Sequence, residues 1–175
     1  RAGDVIIVNG PIGEHGISIL AVRKNLGFKL EIQSDCAPLS SMIQNALQVS
    51  DEIHFMRDAT RGGLATVLCE LVHGRSFGVR LEESIIPVRD NVKGVCEMFG
   101  FDPLYLANEG KVIMVVGRDD ADAVLDQLKK NPYGKDAVII GVITDNHMGR
   151  VVMETIVGGN RVLEILTGDQ LPRIC

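Results

Sequence analysis

The sequence predicts an α+β fold, a layered arrangement in which one mixed sheet is covered by helices. Three observations point there. Short β-type apolar runs alternate with stretches whose apolar residues recur at helical spacing. Strand-like runs follow one another more closely in the last third, where antiparallel pairing is expected. The chain of 175 residues, 46% hydrophobic and 23% charged, is large enough for one domain with its own core.

Strand-like runs fall at 5–8, 29–32, 53–56, 79–81, 112–116, 138–144, 151–155 and 161–165. Between them, Leu39, Met42, Ile43, Ala46 and Leu47 mark one buried helical face. Leu64, Val67, Leu68, Leu71 and Val72 mark a second, Val88, Val92, Val95, Cys96 and Phe99 a third, and Ala121, Val124, Leu125 and Leu128 a fourth. Residues 15–26 form a weaker fifth. No repeat of fixed period and no Pro/Ser-rich linker divides the chain.

A formal net charge of −5 and few aromatic residues (two Tyr, five Phe, no Trp) argue against nucleic-acid binding. No apolar run is long enough to span a bilayer, and no secretory leader opens the chain. The cytoplasm is the expected compartment. Cys36, Cys69, Cys96 and Cys175 form no Cys-x-x-Cys pair, and the histidines lack metal-ligand spacing, so no metal ligands are assigned. Cys69 and Cys96 lie on or beside apolar helix stripes and read as buried hydrophobes. Cys36 precedes a helix on a loop. The chain begins at Arg1 and enters a strand almost at once, so an upstream domain is expected to be missing.

Four segments carry possible chemistry. Gly10-Pro11-Ile12-Gly13-Glu14-His15-Gly16 joins a strand to a helix; glycines there serve either a structural turn or close approach to an anion. Met56-Arg57-Asp58-Ala59-Thr60-Arg61-Gly62-Gly63-Leu64 joins another strand to a helix. Its Asp58 suits a magnesium ion or a helix cap, and Thr60, Arg61 and the Gly62 and Gly63 amides suit phosphate oxygens. An ordinary capped helix start is the equal alternative. In Asn108-Glu109-Gly110-Lys111, a carboxylate at the mouth of a strand is either a general base or part of a polar turn. The ending Thr167-Gly168-Asp169-Gln170-Leu171-Pro172-Arg173-Ile174-Cys175 reads as a flexible tail over 167–175 after a domain over 1–166. Its terminal thiol is a carrier or an incidental free cysteine, whose own carboxylate disfavours the thiolate and whose neighbour Arg173 can offset that.

Together these segments resemble the C-terminal half of the HypE family of hydrogenase maturation factors, within the AIR synthetase and selenophosphate synthetase superfamily. The resemblance rests on residues 10–16, 34–39, 56–64 and 108–111 and on the Pro-Arg-Ile-Cys ending, the part most specific to HypE. It implies a fold like the C-terminal domain of AIR synthetase-related proteins and an ATP-dependent carbamoyl dehydratase activity. Cys175 would accept a carbamoyl group from the carbamoyltransferase HypF. ATP would activate the carbamoyl oxygen, and dehydration would leave a thiocyanate whose cyanide passes to iron on a HypC–HypD complex for [NiFe]-hydrogenase. The implied catalytic residues are Cys175 and Glu109, the latter assisting deprotonation. The implied nucleotide-binding residues are Asp58, Thr60, Arg61, Gly62 and Gly63, with Gly13 and Gly16 for backbone approach. ATP and Mg2+ would be held mainly by an N-terminal domain absent here, which would also mediate homodimerisation, so this piece alone is expected to bind ATP weakly and to be inactive. The competing readings are a synthetase of the same superfamily acting on a free small molecule, and a non-catalytic carrier or docking module.

Overall fold

The computed structural model describes residues 1–24 and 32–166. In chain order the elements are β1 (Val5–Val8), α1 (Glu14–Lys24), α2 (Ser40–Leu47), β2 (Ile53–Asp58), α3 (Gly63–Val72), β3 (Gly78–Glu82), α4 (Asp90–Phe99), β4 (Val112–Val116), α5 (Ala121–Lys129), β5 (Val138–Thr144), β6 (Val151–Glu154) and β7 (Asn160–Leu163). Short 3-10 turns precede α4, β4 and α5, the second spanning Pro103–Tyr105.

The seven strands form one sheet in the order β2-β4-β1-β5-β3-β6-β7. Neighbours pair antiparallel except β3 with β6, which run parallel. The sheet is mixed, as predicted, but antiparallel pairing is not confined to the last third. It also joins β1 to β4 and to β5, strands far apart in sequence.

Strand alternation explains why β1 and β4 are apolar at every position. Val5, Ile7, Val112, Met114 and Val116 enter a core with Met42 and Ala46 of α2 and Val124 and Leu128 of α5. Ile6, Val8, Ile113 and Val115 point the other way, onto Leu64, Val67 and Leu68 of α3. Successive side chains alternate across a strand, so a fully buried strand must be apolar on both faces. Farther out, Ile17 and Leu20 of α1 pack with Val92, Val95 and Cys96 of α4 and with Leu106.

All five helical stripes form helices, with ends shifted by a residue or two. Residues 25–26 of the weakest lie outside the described residues, as do 29–31 of the strand expected at 29–32; Ile32 belongs to no strand. The 167–175 tail, with Arg173 and Cys175, also lies outside them.

Candidate functional site

Two buried asparagines organise the loops at one end of β1 and β4. Asn108 is fully buried. Its Oδ1 accepts the Gly13 amide at 2.7 Å, and its Nδ2 donates to the carbonyls of Leu106 (2.9 Å) and Ala59 (3.2 Å). Its own amide also donates to the Ala59 carbonyl, and the Ala59 amide donates to the Lys111 carbonyl. One side chain thus ties the β1–α1 loop, the β2–α3 loop and the approach to β4. Asn9 does the same nearby: Nδ2 donates to the carbonyls of Tyr133 (2.8 Å) and Gly110 (3.1 Å), and Oδ1 accepts the Val112 amide (2.8 Å). A buried carboxamide is tolerated where both ends find partners, and no described buried side-chain polar atom lacks one.

On this frame sits Glu109. The Asp35 carboxylate accepts the amides of Glu109 (3.1 Å) and Gly110 (3.4 Å) and pairs with Lys111 Nζ at 2.9 Å. The Asp35 and Lys111 side chains are only 1% and 8% exposed. Two charges this deep are tolerable because they face each other and the carboxylate has amide donors besides. Gly110 permits the approach, since a Cβ there would overlap the Asp35 carbonyl oxygen. The Glu109 side chain is partly exposed, with Oε1 3.9 Å from His15 Nε2. His15 Nδ1 lies 2.8 Å from Ser34 Oγ. Gly110 and Lys111, with Glu14, Asp35, Cys36 and Arg89, line a cavity of about 200 Å³. Arg89 Nε donates to Glu14 at 2.7 Å, so the wall carries paired charges.

The 58–63 segment is arranged differently. Asp58 does not cap α3, as one reading of the sequence allowed: the N-cap is Gly62, in the left-handed region at φ 65°, and no side chain caps the helix. The Asp58 carboxylate instead turns to Thr60, whose amide is 3.4 Å away, and hydrogen bonding from Thr60 holds its pKa below the usual value. Gly63 also has positive φ, and a Cβ there would lie 2.6 Å from the Leu106 carbonyl oxygen, so its bareness has a packing cause. Arg61 is exposed and has no ion-pair partner among the described residues. Arg57 pairs with Glu70 of α3.

Gly13 and Gly16, expected to allow backbone approach, have their amides engaged within the protein. Gly13 donates to Asn108, and Gly16 donates to the Ala107 carbonyl at 3.1 Å. The structure brings Glu109 and Gly13 together through Asn108, and joins 58–60 to them through Ala59; Arg61 has no ion-pair partner among the described residues. Sequence reasoning assigned no role to Asn9, His15, Asp35, Asn108 or Lys111. Four of them lie in the segments behind the family resemblance, but their pairing spans 70 or more residues in most cases, which spacing does not reveal.

Burial pushes the thiols of Cys69 and Cys96 up to about 11, which makes them poor nucleophiles, whereas Cys36 is exposed. Among the described residues no group of three or more His, Cys, Asp or Glu could hold a metal ion. No described helix is long and apolar enough to cross a membrane.

Comparison with known proteins adds a family. Residues 1–154 match the model of the AIR synthase related protein, C-terminal domain. The carbamoyl dehydratase HypE of Rhodobacter capsulatus is 43% identical over 175 residues, covering 100% of this chain and 52% of that protein. A crystal structure of hydrogenase maturation protein HypE in complex with ATP superposes with a TM-score of 0.92 at 42% identity, over 100% of this chain and 53% of that one. HypE in a HypE–HypF complex gives 0.89 at 40% identity, over 95% and 54%. The chain spans about half the length of the curated relatives it matches. With the mixed sheet, the stitched loops and the matched residues in agreement, this chain belongs to the family of AIR synthase related protein C-terminal domains, and the HypE proteins are what it resembles within it.

Proposed function

We propose that this chain serves as the C-terminal half of an ATP-dependent carbamoyl dehydratase in [NiFe]-hydrogenase maturation, with Cys175 as the carrier and Glu109 as the base. The observation that carries this reading is the seat of Glu109. Its backbone is fixed by a buried ion pair while its carboxylate stays partly exposed, and its neighbours Gly110 and Lys111 line a cavity. A general base needs that combination: a held position and access to the proton it removes. Likeness over the whole chain to proteins named carbamoyl dehydratase supplies the substrate class.

In this proposal HypF delivers a carbamoyl group to the Cys175 thiol, and the amide oxygen is phosphorylated by ATP. Oxygen is otherwise a poor leaving group; as phosphate it departs. Glu109 takes protons from the amide nitrogen, and the carbon is left triply bonded to nitrogen as a thiocyanate. Thr60, Arg61 and the amides of Gly62 and Gly63, at the uncapped start of α3, are the groups offered to phosphate oxygens, with Asp58 orienting Thr60. Gly13, where a Cβ would press on Leu106, lets the start of α1 approach the 106–108 loop, and the Gly16 amide bonds to that loop at Ala107. Mg2+ would enter with ATP and the N-terminal half. Homodimerisation, transfer of cyanide to a HypC–HypD complex and a cytoplasmic setting complete the proposal.

The test is mass spectrometry of the C-terminal peptide of the full-length protein incubated with HypF, carbamoyl phosphate and ATP. A carbamoyl and then a cyano mass on Cys175 is expected. Replacing Glu109 by Gln should slow the second change by about 10²-fold or more, the usual reach of general-base catalysis. An unmodified Cys175 would refute the carrier role; a Glu109→Gln protein that dehydrates normally would refute the base.

A further inference from the structure

Dehydrating a primary amide places a demand on its base that the seat of Glu109 alone does not meet. Two N–H bonds on one nitrogen must break, while the C–O bond breaks with its oxygen leaving on phosphate. Of the two protons, one is carried off in the hydrogen phosphate released at neutral pH and the other goes to solvent. One carboxylate holds one proton. Between the first abstraction, which gives the O-phosphorylated imidate, and the second, which gives the nitrile, Glu109 must be emptied.

His15 stands where that proton can go. It is the second residue of α1, its side chain is 13% exposed, and its Nε2 lies 3.9 Å from Glu109 Oε1. That is a small side-chain rotation from hydrogen-bonding distance. Its other nitrogen, Nδ1, is held 2.8 Å from Ser34 Oγ. The Ser34 hydroxyl already accepts the Cys36 amide at 3.2 Å. A hydroxyl has two acceptor positions and one proton. With one position filled by Cys36, the other can take an Nδ1–H donor, and the residue is exposed. In the tautomer whose Nδ1–H donates to Ser34, Nε2 is bare and faces Glu109, as the partner on one ring nitrogen decides the state of the other.

We infer that His15 is a positioning and relay residue, which receives the proton from Glu109 on Nε2 and releases one from Nδ1 through Ser34 to solvent, so that the same carboxylate serves both abstractions. This rests on the proposed role of Glu109, and its test separates the two.

The full-length protein, carbamoylated on Cys175 by HypF and carbamoyl phosphate, would be given ATP, and conversion to the cyano form followed by mass in a single turnover. His15→Gln can keep a hydrogen bond to Ser34 but cannot relay a proton. It should slow conversion about 10²-fold, the lower end for an acid–base group, while carbamoylation of Cys175 and ATP affinity stay unchanged. In His15→Ala, added imidazole should recover part of the loss, because a diffusible base then empties Glu109. If His15→Gln converts at the wild-type rate while Glu109→Gln is slow, the relay is refuted and the base stands. If both convert normally, the base assignment falls as well. A slow His15→Ala protein, folded by circular dichroism, that imidazole does not accelerate would mean a purely structural role and would overturn the relay. Should His15→Ala fail to fold, the His15→Gln rate decides.

Discussion

The chain has two glycine-bearing junctions from strand to helix, and they are built in opposite ways. At β1–α1 three backbone amides are engaged within the protein: the Ile12 amide meets the Pro87 carbonyl, that of Gly13 meets Asn108, and that of Gly16 meets Ala107. At β2–α3 the helix starts without a side-chain cap, and Arg61 extends into solvent. Similar sequence signals therefore serve different ends. The first junction commits three of its amides to neighbouring loops, and a Cβ at Gly13 would press on Leu106 and Val92; at the second, the exposed Arg61 has no ion-pair partner among the described residues. A glycine-rich junction is evidence for an anion site only after its amides have been traced to their acceptors.

The largest expected effect tests the scaffold. Asn108→Ala would leave the buried Gly13 amide and the Leu106 carbonyl without their side-chain partner, at about 1–3 kcal/mol each. Urea unfolding should show a loss of about 3 kcal/mol, a large part of the ~5–15 kcal/mol typical of a domain; a change under about 0.5 kcal/mol would remove Asn108 from its place as the hub. Next comes Gly63→Ala, which adds a Cβ 2.6 Å from a backbone carbonyl at positive φ. It should destabilise by about 1–3 kcal/mol, seen as a lower melting temperature, and would show that even the open junction is scaffold at its rear. The smallest effect on folding is expected for Arg61→Ala, within about 0.5 kcal/mol because the side chain is exposed. In the full-length protein the same change should weaken ATP binding several-fold by calorimetry. Unchanged affinity would take Arg61 out of the nucleotide site and erase the functional half of the contrast.

The core was legible from the sequence because periodicity reports burial directly. Leu64, Val67, Leu68 and Val72 repeat at helical spacing and do fill the core under α3, and β1 and β4 announce double-sided burial by being apolar throughout. The pairing of β1 with both β4 and β5 was not legible, since register between distant strands leaves no local mark. The same holds for the site. Glu109 was visible as a carboxylate at a strand mouth, but its support from Asp35 joins residues 74 apart in the chain. Asp58 could be read as a cap because Asp is favoured at helix starts; the double glycine displaced the start of α3 to Gly63, out of its reach.

The clamp of Asp35 on the Glu109 and Gly110 amides has a consequence for repeated turnover. Ordering a residue's backbone costs about 1–2 kcal/mol of conformational entropy. If Glu109 is the base proposed above, its backbone is ordered when the chain folds, not when substrate arrives, so each cycle would begin with it already in place.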